Sequence, residues 1–175
     1  MLSQGSNLDE LKGLSVNVTL VNRNSVRSAP DGQWITTRVP IQHRVYVSQR
    51  GNIFDYTEVN AAGHQHSWGT KAALDKAVQP PNGNPIMDPG SLTAWTLDNG
   101  RLTRITQLRA GFRISTIVID PTRLTCTFDN RDEPDPKTGQ VWQLSPLNGQ
   151  PMEIKLQLES YNCVVKRGNI FADDQ

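Results

Sequence analysis

Several stretches of the chain alternate between apolar and polar residues, with the period of two that is typical of a β-strand with one buried face. The first stretch, LSVNVTLVN, places Val16, Val18 and Leu20 on one face. The clearest is residues 38–48, whose predicted inward side chains are Ile41, His43, Val45 and Val47. We therefore expect both stretches to form half-buried strands.

Turn residues between such stretches predict antiparallel hairpins. Gly51 and Asn52 follow the strand of residues 38–48, and both tolerate the positive φ angle that a tight turn requires. Asn99 and Gly100 form the dipeptide that most strongly signals a two-residue hairpin. The stretches IFDYTEVNA and LTRITQL are then the returning strands.

The last alternating stretch changes phase. Its first half predicts four inward side chains, Met152, Ile154, Leu156 and Leu158, with Glu153 among the outward ones. Beyond Ser160 the apolar positions become Tyr161, Cys163 and Val165. A shift by one residue inside a strand predicts a β-bulge, because the extra residue moves the following side chains to the opposite face.

Other stretches lack the alternation. Residues 1–13 are expected to be loosely ordered, apart from one helical turn in SNLDELKG that stops at Gly13. The stretches RNSVRSAPDGQW, AAGHQHSWGT and DNRDEPDPKTGQ are predicted to be loops, and TKAALDKAV a short helix with Thr70 as its N-cap.

These elements predict an all-β, mainly antiparallel fold. About eight strands joined by hairpins fit a small β-barrel or barrel-like sandwich with one or two short helices. The length of 175 residues suits one domain. We expect that domain to comprise residues 14–175.

Charge and composition narrow the class of partner. The formal net charge is +1, which disfavours nucleic acid or an anionic membrane surface as the partner. No apolar run approaches the roughly 18 residues of a membrane span. The start of the sequence has no apolar signal segment, so we expect either a cytosolic protein or a mature chain without its leader. No catalytic signature is present, so we expect no enzyme and no cofactor.

The two cysteines, Cys126 and Cys163, both lie in predicted strands. Alternation in LTCTF turns Cys126 inward, together with Leu124 and Phe128. In an exported protein the two would pair in a disulfide, whereas in a reducing compartment they would be two buried thiols. The residues themselves leave both alternatives open.

Histidines form one candidate site. His64 and His66 are two positions apart, which places them on one face of an extended chain, and His43 can supply a third imidazole if strand and loop converge. Such a set would bind Zn²⁺ or Cu²⁺. The alternative is that His64 and His66 are solvated and that His43 packs near the core.

Tryptophans form a second candidate site, for a glycan or an apolar ligand, and they are Trp34, Trp68, Trp95 and Trp142. Plugs at the end of a barrel are the alternative.

The acidic residues Asp129, Asp132, Glu133 and Asp135 do not match a calcium-binding loop. Five arginines can gather into an anion-binding patch or form a solvated sheet face, and they are Arg101, Arg104, Arg109, Arg113 and Arg123.

Four segments carry a resemblance: LKGLSVNVTLVNR, HRVYVSQRGNIFD, LTCTFD and NCVVKRGNIFA. In this order they resemble a family of small exported β-proteins from Rhizobiales and related Alphaproteobacteria that has no established activity. That family shows a V-Y-V-S-x-x-G-x-[IV]-F hairpin, two late cysteines and a C-terminal G-N-[IV]-F. The resemblance implies export to the periplasm or the cell exterior and a disulfide between Cys126 and Cys163.

The expected function is therefore a non-enzymatic one at the cell envelope. We expect a structural or protein-binding role, with a protein partner or self-association through strand edges. The alternatives are a barrel that holds a small ligand or glycan, and a metal-binding protein that uses its histidines.

Overall fold

The computed structural model describes residues 8–29, 31–61, 64–73, 93–144 and 150–168. Most of them lie in β-strands, and a single helix, α1 (Leu8–Leu11), precedes the strands in this part of the chain. The strands are β1 (Leu14–Arg27), β2 (Ile35–Val47), β3 (Asn52–Ala61), β4 (His64–Ala73), β5 (Thr93–Asp98), β6 (Arg101–Gln107), β7 (Phe112–Asp120), β8 (Thr125–Glu133), β9 (Trp142–Leu144) and β10 (Pro151–Arg167).

The strands form two antiparallel sheets. One has six strands in the order β4-β3-β2-β1-β10-β9, and the other has four in the order β5-β6-β7-β8. The predicted all-β antiparallel fold is confirmed, and of the two predicted architectures the sandwich fits. The closed barrel is wrong, because in the described part of the chain β8 lies against β10 without backbone pairing and the sheets stay separate.

The facing surfaces of the two sheets form one hydrophobic core. Val16, Val18 and Leu20 of β1 are at most 2% exposed, as the alternation predicted. Leu102 and Ile117 come from the four-stranded sheet and are equally buried. Each such aliphatic side chain stabilises the fold by roughly 1.5–3 kcal/mol through removal of apolar surface from water.

The short helix packs onto this core. Leu11 is fully buried, and Gly13 ends the helix with a φ angle of +84°. The Gly13 N–H donates to the Val47 carbonyl at 2.7 Å, which fixes the helix against the β2–β3 hairpin. The predicted helical turn and its stop at Gly13 are thereby confirmed, while the domain boundaries stay a prediction.

Both predicted hairpins are present. β2 and β3 pair from Val47 opposite Ile53, around Gly51 at a φ angle of +82°. β5 and β6 are joined by Asn99 and Gly100, whose φ angles are +49° and +79°. Positive φ angles at both central residues give the primed turn that matches the right-handed twist of paired strands.

The predicted bulge lies in β10. Val21 is opposite Ser160 and Asn22 is opposite Leu158, so Glu159 is the extra residue. Hydrogen bonds from Arg38 and Arg23 lower the pKa of Glu159 to about 2.

Glu153 is in phase with the outward residues Lys155 and Gln157, as predicted, yet it is only 8% exposed. Arg27 Nε donates to its Oε1 at 2.8 Å, and β9 covers it by pairing Trp142 opposite Glu153. The alternation of β10 alone does not predict this burial, because it carries no information about β9, which pairs along the edge of β10.

Three predicted loops are also wrong, in whole or in part. β1 continues to Arg27, β8 continues to Glu133, and β4 occupies most of the predicted HQH loop together with the start of the predicted helix at Thr70. Residues 74–78 of that helix lie outside the described part of the chain. Pairing with a neighbouring strand satisfies the backbone in each case, and this outweighs the local turn propensities.

The disulfide joins the two sheets. Cys126 of β8 and Cys163 of β10 are bonded, with their Cα atoms 5.8 Å apart. The predicted pairing is confirmed, and the alternative of two free thiols is wrong. In the part of the chain that the structure describes, no helix has the length and apolar character required to cross a membrane.

Candidate functional site

Polar residues interrupt the inward faces of both sheets toward one end of the sandwich. On β1, Asn22 continues the face of the buried valines, and on β2 His43 lies between inward apolar positions. On β3, Asp55 follows Ile53 in the same phase. On β6, Arg104 follows Leu102 in the same phase. Strand alternation therefore turns all four polar residues into the interior.

His43, Asp55 and Arg104, hereafter the polar cluster, connect the two sheets. The His43 imidazole Nε2 is hydrogen-bonded to Asp55 Oδ1. Arg104 Nη1 donates to Asp55 Oδ2 at 2.7 Å and to Thr57 Oγ1 at 3.3 Å. The His43 and Asp55 side chains are at most 2% exposed, and Arg104 is 16% exposed. Asp55 thus accepts one hydrogen bond from each sheet.

Burial sets the protonation of the polar cluster. Burial, and then the charge of Arg104, lower the pKa of His43, so the imidazole is neutral at pH 7 and donates through Nε2. Burial alone would raise the pKa of Asp55, but His43 and Arg104 outweigh it and the pKa is lowered. The cluster therefore carries one negative and one positive charge, which cancel.

A second set of polar residues lies beside the cluster on the four-stranded sheet. Arg113 donates to Asp132 through two nitrogens, Nε at 2.8 Å and Nη2 at 3.2 Å. Ser115 Oγ donates to Asn130 Oδ1 at 3.0 Å. The Arg113 charge is thus also balanced by a carboxylate.

These residues surround a cavity between the sheets, hereafter the intersheet pocket, with a volume of about 160 Å³. Its apolar lining residues are Leu20, Val39, Ile41, Val59 and Phe128, and its polar lining residues are Asn22, Asn24, His43, Thr57, Arg104, Arg113, Ser115 and Asn130. A cavity of about 150 Å³ accommodates a molecule the size of benzene. The intersheet pocket thus has the volume for one small organic molecule.

Among the described residues, two amide oxygens in the intersheet pocket lack a hydrogen-bond partner. Asn22 is 2% exposed, and neither its Oδ1 nor the Oδ1 of Asn24 has a hydrogen-bond partner among the described residues. Leaving a buried acceptor unsatisfied costs about 1–3 kcal/mol, so such groups usually have a reason other than stability. Both oxygens are therefore acceptors that can take a hydrogen bond from water or from the N–H or O–H group of a bound molecule.

The charges limit the chemistry of that molecule. Arg104 and Arg113 are each paired with a buried carboxylate, and His43 is neutral. A bound anion would compete with Asp55 or Asp132, and a bound cation would approach a paired arginine. A neutral molecule with hydrogen-bond donors and some apolar surface matches the lining best.

The histidine hypothesis finds only part of its site in the described residues. His43 Nε2 is bonded to Asp55, and no group of three metal-ligating side chains is present where side chains are described. His64 and His66 lie on β4, in register with Ala61 and Val59 of β3, and their side chains lie outside the described part. The metal site stays a prediction.

The tryptophans do not converge where they are described. Trp95 is 9% exposed and belongs to the hydrophobic core. Trp34 contacts Arg27 and Lys155, whose cationic groups lie 4.4 Å and 4.2 Å from its ring centroid. Trp142 is on β9 and donates from Nε1 to Gln140 at 3.0 Å. The Trp68 side chain lies outside the described part, and the other three tryptophans do not line the intersheet pocket.

The arginines divide between the interior and the surface. Arg104 and Arg113 face the intersheet pocket, whereas Arg101 and Arg123 are exposed. In the acidic stretch, Asp132 pairs with Arg113, and Asp129 and Glu133 pair with Arg131. These contacts do not bring the described arginines together into a single anion-binding patch.

Asp55 of the polar cluster and the pocket residues Asn22 and Asn24 are positions that sequence reasoning missed. The signal was available, because each occupies a position in phase with buried apolar neighbours of its strand. A polar residue on the apolar face of a strand marks either a satisfied network or a cavity.

Comparisons with models of protein families, with curated proteins and with solved structures find no match for this chain.

Proposed function

We propose that the protein binds a small neutral molecule in the intersheet pocket and does not transform it. The ligand carries N–H or O–H donors for Asn22 and Asn24, and an apolar part for Ile41 and Phe128. Small polyols, cyclic ureas and hydroxylated ring compounds belong to this class. A pocket with a few placed polar groups among apolar walls is the usual form of a small-molecule site.

The observation that carries the proposal is the almost fully buried Oδ1 of Asn22, which accepts no hydrogen bond from any described residue. The polar cluster next to it is satisfied internally, so it orders the wall of the pocket. Asp55 already accepts from His43 Nε2, which supports a role for this imidazole in holding the site rather than in proton transfer to a ligand.

Export is part of the proposal. The disulfide between Cys126 and Cys163 is typical of proteins that fold in an oxidising compartment, and the resemblance to small exported β-proteins points the same way. A binding role at the cell envelope, in the periplasm or outside the cell, fits both. An envelope role through a protein partner is the second candidate.

The test is ligand-observed NMR with a library of small neutral polyols, ureas and hydroxylated ring compounds. We expect saturation transfer from the wild-type protein to a subset of them. The variant Asn22→Leu should reduce the affinity by about tenfold or more, because it removes the acceptor and fills part of the cavity.

The matched control is Asn162→Leu, because Asn162 is exposed on β10. This substitution makes the same chemical change away from the pocket. It should bind like the wild type. The absence of saturation transfer from any library member, or equal binding by Asn22→Leu and the wild type, would contradict the proposal.

A further inference from the structure

A second cavity, of about 620 Å³, lies along the first half of β10. Residues 154–157 of β10 form one wall. Arg131 and Asp132 at the end of β8, with residues 139–141 before β9, form the opposite wall. We refer to this cavity as the β10 groove. It is open to solvent, and it is separate from the intersheet pocket.

The β10 groove exposes a strand edge. β9 pairs with β10 only at residues 151–153, and the Ile154 N–H donates to the Val141 carbonyl at 3.0 Å. Backbone groups alternate sides along a strand, so the N–H and C=O of Leu156 point to the same side as those of Ile154. In the described part of the chain no strand pairs with β10 on that side at Leu156. The backbone of Leu156 therefore faces the groove.

The side chains around this edge show a pattern. Leu156 is half-buried on the inward face of β10, whereas Lys155 and Gln157 are exposed on the outward face. A strand that pairs with this edge would thus meet alternating apolar and polar positions. Its own side chains would need apolar residues opposite Leu156 and polar ones on the outward face.

The charges around the β10 groove indicate which polar residues a partner strand would carry. Arg23 in the groove pairs with Glu159, and Arg131 pairs with Asp129 and Glu133. The Lys155 ammonium instead contacts the Trp34 ring, 4.2 Å from its centroid, and forms no salt bridge with any described carboxylate. Lys155 is therefore the cation that remains for an acidic residue of a partner strand.

We infer that the β10 groove binds an extended peptide segment with alternating apolar and acidic residues. The segment adds to the six-stranded sheet antiparallel to β10, in line with β9 and beyond the point where the chain leaves the edge at Val141. Main-chain hydrogen bonds to Leu156 supply affinity, and an acidic side chain opposite Lys155 supplies selectivity. Addition of a strand to an exposed sheet edge is a common mode of peptide recognition.

The test uses fluorescein-labelled peptides and fluorescence anisotropy with the full chain in its disulfide-bonded form. The probe is Val-Glu-Val-Glu-Val, compared with Val-Lys-Val-Lys-Val and with a copy of the probe that is N-methylated at its central residue. We expect the lysine peptide to bind about tenfold more weakly or worse. N-methylation should abolish binding, because it blocks a main-chain donor.

Two protein variants sharpen the test. Lys155→Glu should lose the preference for the acidic peptide and bind the lysine peptide better. Lys166→Glu makes the same charge change at an exposed position near the other end of β10 and should behave like the wild type. Hydrogen exchange at the Leu156 amide should slow when the probe binds.

The inference is overturned if the N-methylated probe binds as well as the unmodified one, since edge pairing would then not be involved. It is also overturned if Lys155→Glu and Lys166→Glu weaken the probe equally, because a general charge effect would explain that result. Failure of the wild type to bind any of these peptides would overturn it as well. None of these results bears on the intersheet pocket.

Discussion

Asp55 is the residue on which the polar cluster depends. Its carboxylate is buried, and it is stabilised by a neutral imidazole from its own sheet and by a guanidinium from the facing sheet. A buried carboxylate without such partners would be strongly unfavourable. Changes at His43 or Arg104 should therefore affect stability through Asp55.

The first prediction concerns pH. Because the pKa of His43 is lowered from its ordinary value of 6.5, the unfolded chain binds a proton that the folded chain does not. The contribution of His43 to the free energy of unfolding should be fully present above about pH 6.5. Below this pH it should decrease, by at most about 1.4 kcal/mol per pH unit. Urea unfolding between pH 5 and pH 8 measures this.

The variant His43→Gln isolates that contribution. Its side-chain amide can replace the imidazole as a hydrogen-bond donor to Asp55, and it does not titrate. His64 and His66 are present in both proteins and cancel in the comparison. The variant should show a shallower decrease between about pH 6.5 and pH 5. Identical pH profiles for the two proteins would show that His43 does not titrate differently on folding.

The second prediction concerns the ion pair across the sheets. Arg104→Met leaves the Asp55 carboxylate buried without its cation, and it should lower the free energy of unfolding by about 3 kcal/mol. Arg101→Met is the matched control on the same strand, because Arg101 is exposed. It should change stability by less than about 0.5 kcal/mol. Equal losses from the two variants would refute a special role for Arg104.

At the scale of elements, two ties hold the sheets together. The disulfide links β8 to β10, and the polar cluster links β6 to β3. The ties lie on different strands of each sheet, so together they limit both separation and sliding of the sheets. We therefore expect the two ties to limit changes in the width of the intersheet pocket.

The third prediction concerns the disulfide. The bond closes a loop with a sequence separation of 37, and in the chain-entropy model its loss costs about 3–4 kcal/mol of unfolding free energy. Replacement of both cysteines by alanine should reduce stability by this amount. Reductant should destabilise the wild type similarly and leave the double variant unchanged. A wild type that is insensitive to complete reduction would contradict the prediction.

The elements that sequence reasoning found are those whose periodicity is local. The buried face of β1, the turn at Asn99 and Gly100, and the bulge at Glu159 each leave a signal within a few residues. β4 left no such signal, because its strand conformation depends on pairing with β3 along its whole length. Residues with polar or glycine-rich sequence adopt a strand when a partner strand is present.

The pocket was harder to predict than the strands for a related reason. His43 was placed on the inward face correctly, but its partner Asp55 comes from the next strand and Arg104 from the other sheet. Which strands face each other depends on the packing of the sheets, and alternation within one strand carries no information about that packing.

At the scale of the whole molecule, the interior is divided into two parts. Around Val16 and Leu102 it is apolar and filled, and around Asn22 and Arg104 it is polar and contains the intersheet pocket. A sandwich selected for stability alone would fill the second part with apolar side chains. We propose that this part is kept polar and open for a ligand, at a cost in stability.

The free energy of unfolding of Asn22→Leu, measured against the wild type without added ligand, tests that claim most directly. The leucine side chain has room in the adjacent cavity of about 160 Å³ and removes an unsatisfied acceptor. We predict that the variant is more stable by about 1 kcal/mol. A variant that is less stable than the wild type by a similar amount would show that Asn22 serves the fold, and would contradict the account.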